Sequence, residues 1–188
     1  MKQNSIVTAF LTDDNAMFDC LSRPITSGEW HEAFRLTAAE CQKNEANREA
    51  CHTRWVTHGA RIREGVANDV LLSEFLRAIL PPYTGSSMTL FRGESAERFT
   101  AGRIGLCWTS QRDTGTRFGR GLNALYEGGG LLLSATVDAS AIIAGPGRHS
   151  NWLGEAEYTV DPAAINKITV LERFPHLRLS STGGDVDE

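Results

Sequence analysis

The 188-residue chain has 41% apolar and 22% charged residues, ordinary globular usage, and enough length to bury a core, which excludes a wholly disordered protein. Its 19 Lys and Arg against 23 Asp and Glu leave a net charge of -4 and a pI near 5.8. That balance excludes a broad phosphate-binding face, which needs clustered Lys and Arg, but leaves open a nucleic-acid substrate met at one local site.

Pro81-Pro82-Tyr83-Thr84-Gly85 divides two textures. The residues before it read as helix. Those after it read as short strands with Gly-rich turns. An α+β chain is therefore expected, with a helical region over 1–86, a sheet-rich core over 87–178 and a flexible acidic tail over 179–188. In chain order, a first helix starts near Thr26-Ser27-Gly28-Glu29, with Ser27 as its cap and Trp30, Phe34 and Leu36 as apolar positions. Glu45 to Arg63 follows, with Cys51, Trp55 and Ile62 near helical spacing. Ala67 to Leu80 carries a wide apolar stripe of Val70, Leu71, Leu72, Phe75, Leu76, Ile79 and Leu80, and Pro81 ends it. The stripe needs burial, so this half is expected to buttress the sheet.

Strands are expected over Met88–Arg92, Gly105–Ser110, Leu131–Val137, Ala141–Ala144, Glu157–Val160 and Ile165–Glu172, with a short helix over Arg112–Arg120. Many short strands at close spacing suggest a curved sheet or a small sandwich. Cys20, Cys41, Cys51 and Cys107 form no CxxC pair, and Cys41 and Cys51 with His52 and His58 match no common zinc spacing, so buried free thiols are the better reading. The triplet Gly128-Gly129-Gly130 lacks the Lys and Ser/Thr of a P-loop and precedes a strand, which makes it a turn. Arg117-Phe118-Gly119-Arg120-Gly121 is too short to outrank an ordinary loop. No stretch reaches the roughly 20 apolar residues of a membrane span, and no N-terminal run has signal length. The expected setting is cytoplasmic, or delivery into a target cell without a classical signal peptide, with no membrane partner.

Three features fall where strands meet turns: Phe91-Arg92-Gly93-Glu94, Cys107-Trp108-Thr109-Ser110 and Gly154-Glu155-Ala156-Glu157-Tyr158. Each alone has a bland reading: a surface turn, a strand stacked on a core, a solvated edge. In this order they compose a site for a charged nucleotide whose sugar carbon becomes cationic. The Arg holds phosphate or ribose, a hydroxyl orients a carboxylate, and a Glu faces both.

This order resembles the Arg–Ser–Glu, or ExE, class of the ADP-ribosyltransferase superfamily over roughly Met88 to Phe174. Arg92 matches the first-strand Arg. Gly105 to Phe118 looks like the hydroxyl strand and the helix after it, and Glu155 and Glu157 match the Glu-x-Glu pair. The resemblance implies a split β-sandwich core behind a helical N-terminal region. It implies a mono-ADP-ribosyltransferase that uses NAD as substrate, needs no metal, and transfers ADP-ribose to a macromolecule. An arginine of a protein is the expected acceptor, with RNA or DNA as alternatives. In that scheme Glu157 is the catalytic carboxylate, Glu155 meets the acceptor guanidinium, and Arg92 grips the phosphates or ribose. Gly93, Thr109, Ser110 and Phe118 complete the NAD site, with Thr109 or Ser110 holding Glu157. The family's hydroxyl strand starts its triplet with Ser, whereas here that slot falls to Cys107 or Trp108. Trp152, in the loop before the pair, is the target-recognition residue or packs on the sheet. An NAD glycohydrolase and an inactive interaction module are the alternative functions. A phage protein, a toxin of a toxin–antitoxin pair and a secreted effector all suit such a chain.

Overall fold

The computed structural model describes residues 5–178; the acidic tail expected over 179–188 lies outside them. Five helices come first: α1 (Ser5–Leu11), α2 (Asp14–Leu21), α3 (Ser27–Lys43), α4 (Glu45–Val66) and α5 (Asp69–Ile79). The first two fall within the expected helical region but before the first helix that the spacing marks. α1 is held by burial of Ile6, Val7, Ala9 and Phe10, and α2 by Asp13, whose carboxylate accepts from the Ala16 N–H at 2.9 Å. α3 is capped by Thr26 rather than Ser27, in a reciprocal capping box with Glu29. α5 begins at Asp69 because Ala67, at φ 50, ends α4 in a left-handed turn and Asn68 caps the next helix. Its stripe is buried except for Leu71, which is half-buried, and Val70, which is 67% exposed. Phe34 and Phe10 both pack on Phe75 at the centre of the helical core.

The second half contains β1 (Met88–Ser95), α6 (Ala96–Thr100), β2 (Cys107–Thr109), α7 (Arg112–Arg120), β3 (Gly130–Val137), β4 (Ile142–Ala144), α8 (Arg148–Trp152), β5 (Glu157–Val160) and β6 (Thr169–Phe174). All strand pairs are antiparallel, and the order is β4-β5-β2-β1-β3-β6. The chain is thus a mixed α+β protein. In place of two facing sheets there is one open sheet, because β1 pairs on both sides. The joint is narrow: β1 and β3 pair over eight residues, but β1 meets β2 only at Phe91 opposite Thr109. Past that point the Arg92 guanidinium bonds the Cys107 carbonyl.

Period-two alternation sends the two faces of the sheet to different partners. Leu90, Trp108, Leu131, Leu133, Ala135, Val137 and Val160 form one apolar core. On the other face the helical half covers the β4-β5 side. Ile143, Ala144 and Leu106 join its core, and the Trp55 indole N–H donates to the Thr159 hydroxyl at 2.9 Å. α7 covers β1 and β3, with Gly93 and Gly119 allowing the close approach: a Cβ on either would strike the facing backbone. The helical half does buttress the sheet, and the space between α4 and α7 stays open.

Candidate functional site

A cleft of about 510 Å³ occupies that space. Phe91 and Arg92 of β1, Cys107 and Thr109 of β2 and Glu157 of β5 line it, Ala60 of α4 closes one side, and Thr114, Gly115 and Phe118 of α7 the other. Of the expected residues, Arg92, Gly93, Thr109, Phe118, Glu155 and Glu157 all line this one cleft. Ser110 and Trp152 do not. Ser110 is half-buried beside it, and Trp152 stands 80% exposed on α8 rather than packed on the sheet.

Arg92 is fixed from two sides. Its Nε donates to Glu94 Oε2 at 2.8 Å and its Nη1 to the Cys107 carbonyl. Gly105 leaves room for the guanidinium, since any Cβ there would strike it. Glu94 is fully buried and also accepts the N–H groups of Ser95 at 3.0 Å and Gly105 at 3.1 Å. Burial alone would raise its carboxyl. The Arg92 charge and these N–H donors outweigh it and hold the carboxyl below its ordinary value. Glu94 thus positions Arg92 without lining the cleft, a role that its place in the Phe-Arg-Gly-Glu motif does not reveal.

Glu155 and Glu157 face the cleft for a reason other than strand alternation. Ala156 between them has φ 44, a left-handed turn, and β5 begins only at Glu157. The turn is pinned on both sides. The Thr109 hydroxyl donates to the Glu155 carbonyl at 2.6 Å, the Ser150 carbonyl accepts the Glu155 N–H at 3.0 Å, and Ser150 Oγ accepts the Glu157 N–H at 2.6 Å. Ser150 is completely buried, and its serine-in-a-loop context carried no signal for this role. Thr109 therefore holds the main chain of the pair. Cys107 lies on the same strand face as Glu157 and lines the cleft with it. The Thr109 hydroxyl donates to the Glu155 carbonyl and not to the Glu157 carboxylate, and Cys107, unlike the three buried cysteines, is only half-buried.

Burial pushes Glu157 up to about 7; the Cys107 thiol opposes this, neighbouring Glu155 adds to it, and Arg92 opposes it. Burial and the Glu157 charge push the Cys107 thiol well up, so it is a neutral thiol rather than a thiolate at neutral pH. Glu157 Oε1 is buried without a hydrogen-bond partner among the described residues. A buried carboxylate oxygen facing a cleft is an acceptor for a ligand hydroxyl. Across the rim, Arg117 Nη2 stands 3.9 Å from Glu155 Oε1. No group of three or more His, Cys, Asp or Glu among the described residues is arranged to hold a metal, and no described helix is long and apolar enough to cross a membrane. No family model, curated protein or solved structure matches this chain.

Proposed function

We propose that the chain is a mono-ADP-ribosyltransferase of the Arg–Ser–Glu class that cleaves the nicotinamide–ribose bond of NAD and passes ADP-ribose to a macromolecular acceptor. The observation that carries this reading is Glu157: a buried carboxylate in a cleft, with one unpartnered oxygen, and with the Arg92 guanidinium and a second carboxylate close enough to act on its charge.

In this reading the ribose 2′-hydroxyl donates to Glu157 Oε1. As the bond to nicotinamide breaks, its electron pair leaves with nicotinamide and the sugar carbon becomes oxocarbenium-like. The Glu157 carboxylate stabilises that charge, much as a carboxylate does in glycoside cleavage. Arg92, held rigid by Glu94, contacts the phosphates through its outer edge. Glu155 faces the incoming acceptor. Its approach to the chain's own Arg117 is a guanidinium–carboxylate contact of the kind an arginine acceptor would make.

Nicotinamide release from NAD by the purified chain and by Glu157→Gln, with and without cell lysate, tests the reading. Release that needs Glu157 and is increased by lysate, with ADP-ribose appearing on a macromolecule, is the expected result. Glu157→Gln should lower the rate by about 10²- to 10³-fold. Release indifferent to added macromolecule would make the chain an NAD glycohydrolase. Release unaffected by Glu157→Gln, or none from any preparation, would overturn the assignment.

A further inference from the structure

The helical half holds a reactive pair that the cleft does not use. Cys41 lies in the last turn of α3 and Cys51 in the second turn of α4, and their sulfurs are 3.4 Å apart. A single buried cysteine is a small hydrophobe; two sulfurs in contact across two helices are a dithiol. The corner between them is built to hold this register. Asn44 Oδ1 accepts the Ala46 N–H at 2.8 Å and caps α4, and Asn47 Nδ2 donates to the Glu40 carbonyl at 3.0 Å. Arg48 Nη1 ties the corner to the end of α5 through the Ala78 and Leu80 carbonyls. The two sulfurs are also unlike each other. Contact with Cys51 and the Arg48 charge hold the Cys41 thiol below its ordinary value against burial, whereas the same contact and burial push Cys51 up. Cys41 is therefore the nucleophile of the pair.

We propose that Cys41 and Cys51 form a modification site, where a small peroxide converts the dithiol to a disulfide that staples α3 to α4. The Cys41 sulfur attacks one peroxide oxygen. The O–O bond breaks, the departing oxygen takes up the Cys41 proton and leaves as water, and Cys41 becomes a sulfenic acid. The Cys51 sulfur then attacks the Cys41 sulfur, the S–O bond breaks, and the hydroxyl leaves with the Cys51 proton as a second water. Two thiols lose two electrons and two protons, and the peroxide gains them. The sulfurs need approach by only about 1.4 Å to reach a bond of roughly 2.0 Å. Both cysteines are buried, but residues 42–46 of the corner are exposed, so fraying of the last turn of α3 opens a path for a small oxidant. The staple bears on the rest of the chain through α4. Trp55, one turn beyond Cys51, donates to Thr159 of β5, and Ala60 walls the cleft. The chemistry needs only the dithiol and the peroxide, whatever the cleft binds.

Hydrogen peroxide is the probe, added to the folded full-length chain before alkylation and tryptic digestion. Trypsin cuts after Arg35, Lys43, Arg48 and Arg54, so a Cys41–Cys51 disulfide joins peptides 36–43 and 49–54. The linked mass, two hydrogens below the sum of the separate peptides, is expected from wild type and from Cys107→Ser. It should be absent from Cys41→Ser and after dithiothreitol. Oxidised wild type should melt roughly 5–10 °C above the reduced protein, because the bond closes a loop between residues ten apart in the unfolded chain. Dithiothreitol should reverse that shift. One wild-type preparation in two redox states supplies this comparison, so it does not depend on a variant folding. No linked peptides, linked peptides only after treatment in urea, or Cys41 linked instead to Cys20 or Cys107 would overturn the site. A disulfide that leaves the melting temperature unchanged or lowers it would overturn the staple.

Discussion

Two carboxylates at opposite edges of the same narrow joint are treated in contrary ways. Glu94, at the end of β1, is fully buried and receives a guanidinium and two main-chain N–H groups; its carboxyl is held below the ordinary value of 4.5. Glu157, at the start of β5, keeps an oxygen without a partner and is pushed up to about 7. Burial works in the same direction on both. Partner supply decides the outcome, and it separates a carboxylate that builds the site from one left available to act.

The sharpest way to break this contrast is to remove Glu94. Glu94→Ala leaves the Arg92 guanidinium, whose side chain is only 14% exposed, without its counter-charge. Breaking such a pair costs about 3–5 kcal/mol, measurable by urea unfolding at pH 7. The pH dependence has a definite sign. Because the folded carboxyl lies below its unfolded value, Glu94 contributes stability above about pH 4.5, and that contribution is lost as pH falls through the folded pKa. Wild type and Glu94→Gln should therefore converge in acid. A Glu94→Ala protein as stable as wild type at pH 7 would remove the structural role assigned to Glu94.

Glu157 should show the reverse slope and a smaller effect. Its folded pKa of about 7 exceeds the ordinary 4.5, so its neutral form is favoured in the fold. That contribution is full below pH 4.5 and is lost as pH rises through about 7, leaving an ionised, poorly partnered carboxylate at pH 8. Glu157→Gln should be more stable than wild type at pH 8, by on the order of 2 kcal/mol, with the advantage shrinking toward pH 5. Thermal unfolding at the two pH values measures it. Nicotinamide release, if it needs the ionised carboxylate, should fall as pH drops through about 7. A variant that lost stability at pH 8 would show that Glu157 has partners the structure does not give it.

The same contrast explains what the sequence made legible. Arg92, Thr109, Glu155 and Glu157 were readable because motif order places them at strand ends, and all four reach one cleft. The α+β division was readable from the change of period at Pro81-Pro82. Glu94 and Ser150 were not readable, because each acts through burial and through partners remote in sequence. Counting along the chain leaves the hydroxyl slot to Cys107 or Trp108; the pairing of Cys107 with Thr159 is what shows that Cys107 shares a face with Glu157. The turn at Ala156 left no trace, since alanine does not mark left-handed backbone as Gly or Asn does. The single sheet was hidden for another reason: the spacing of short strands does not say whether a middle strand pairs on both sides.

Cys107 sharpens the comparison on the Glu157 side. Its thiol shares the cleft with Glu157 and favours the ionised carboxylate. Cys107→Val keeps the shape and removes the donor, so the acid limb of the pH–rate profile should move to higher pH. Turnover at pH 7 should fall about threefold, because an interaction of about 1 kcal/mol moves a limb near 7 up by about 0.7 of a unit. Cys107→Ser keeps a donor and should stay near wild type. An unmoved limb in Cys107→Val would mean that burial and Glu155 alone set the Glu157 pKa.

The smallest effect is expected at Ala156, and it asks whether strain holds the two glutamates in place. An L-residue in the left-handed region costs about 1 kcal/mol, which Gly avoids. Gly also frees the unfolded chain, an opposing cost of about 0.5–1 kcal/mol, so Ala156→Gly should change stability by no more than about 0.5 kcal/mol. Turnover depends on what fixes the turn. Thr109 and Ser150 hold the main chain on either side of Ala156, and neither bond involves its side chain. With those pins intact, Ala156→Gly should keep nicotinamide release within about twofold of wild type, whereas Ser150→Ala, which releases the Glu157 N–H, should lower it by more. A larger loss in Ala156→Gly than in Ser150→Ala would show that the restricted backbone of Ala156, rather than its pinned neighbours, sets the geometry of Glu155 and Glu157.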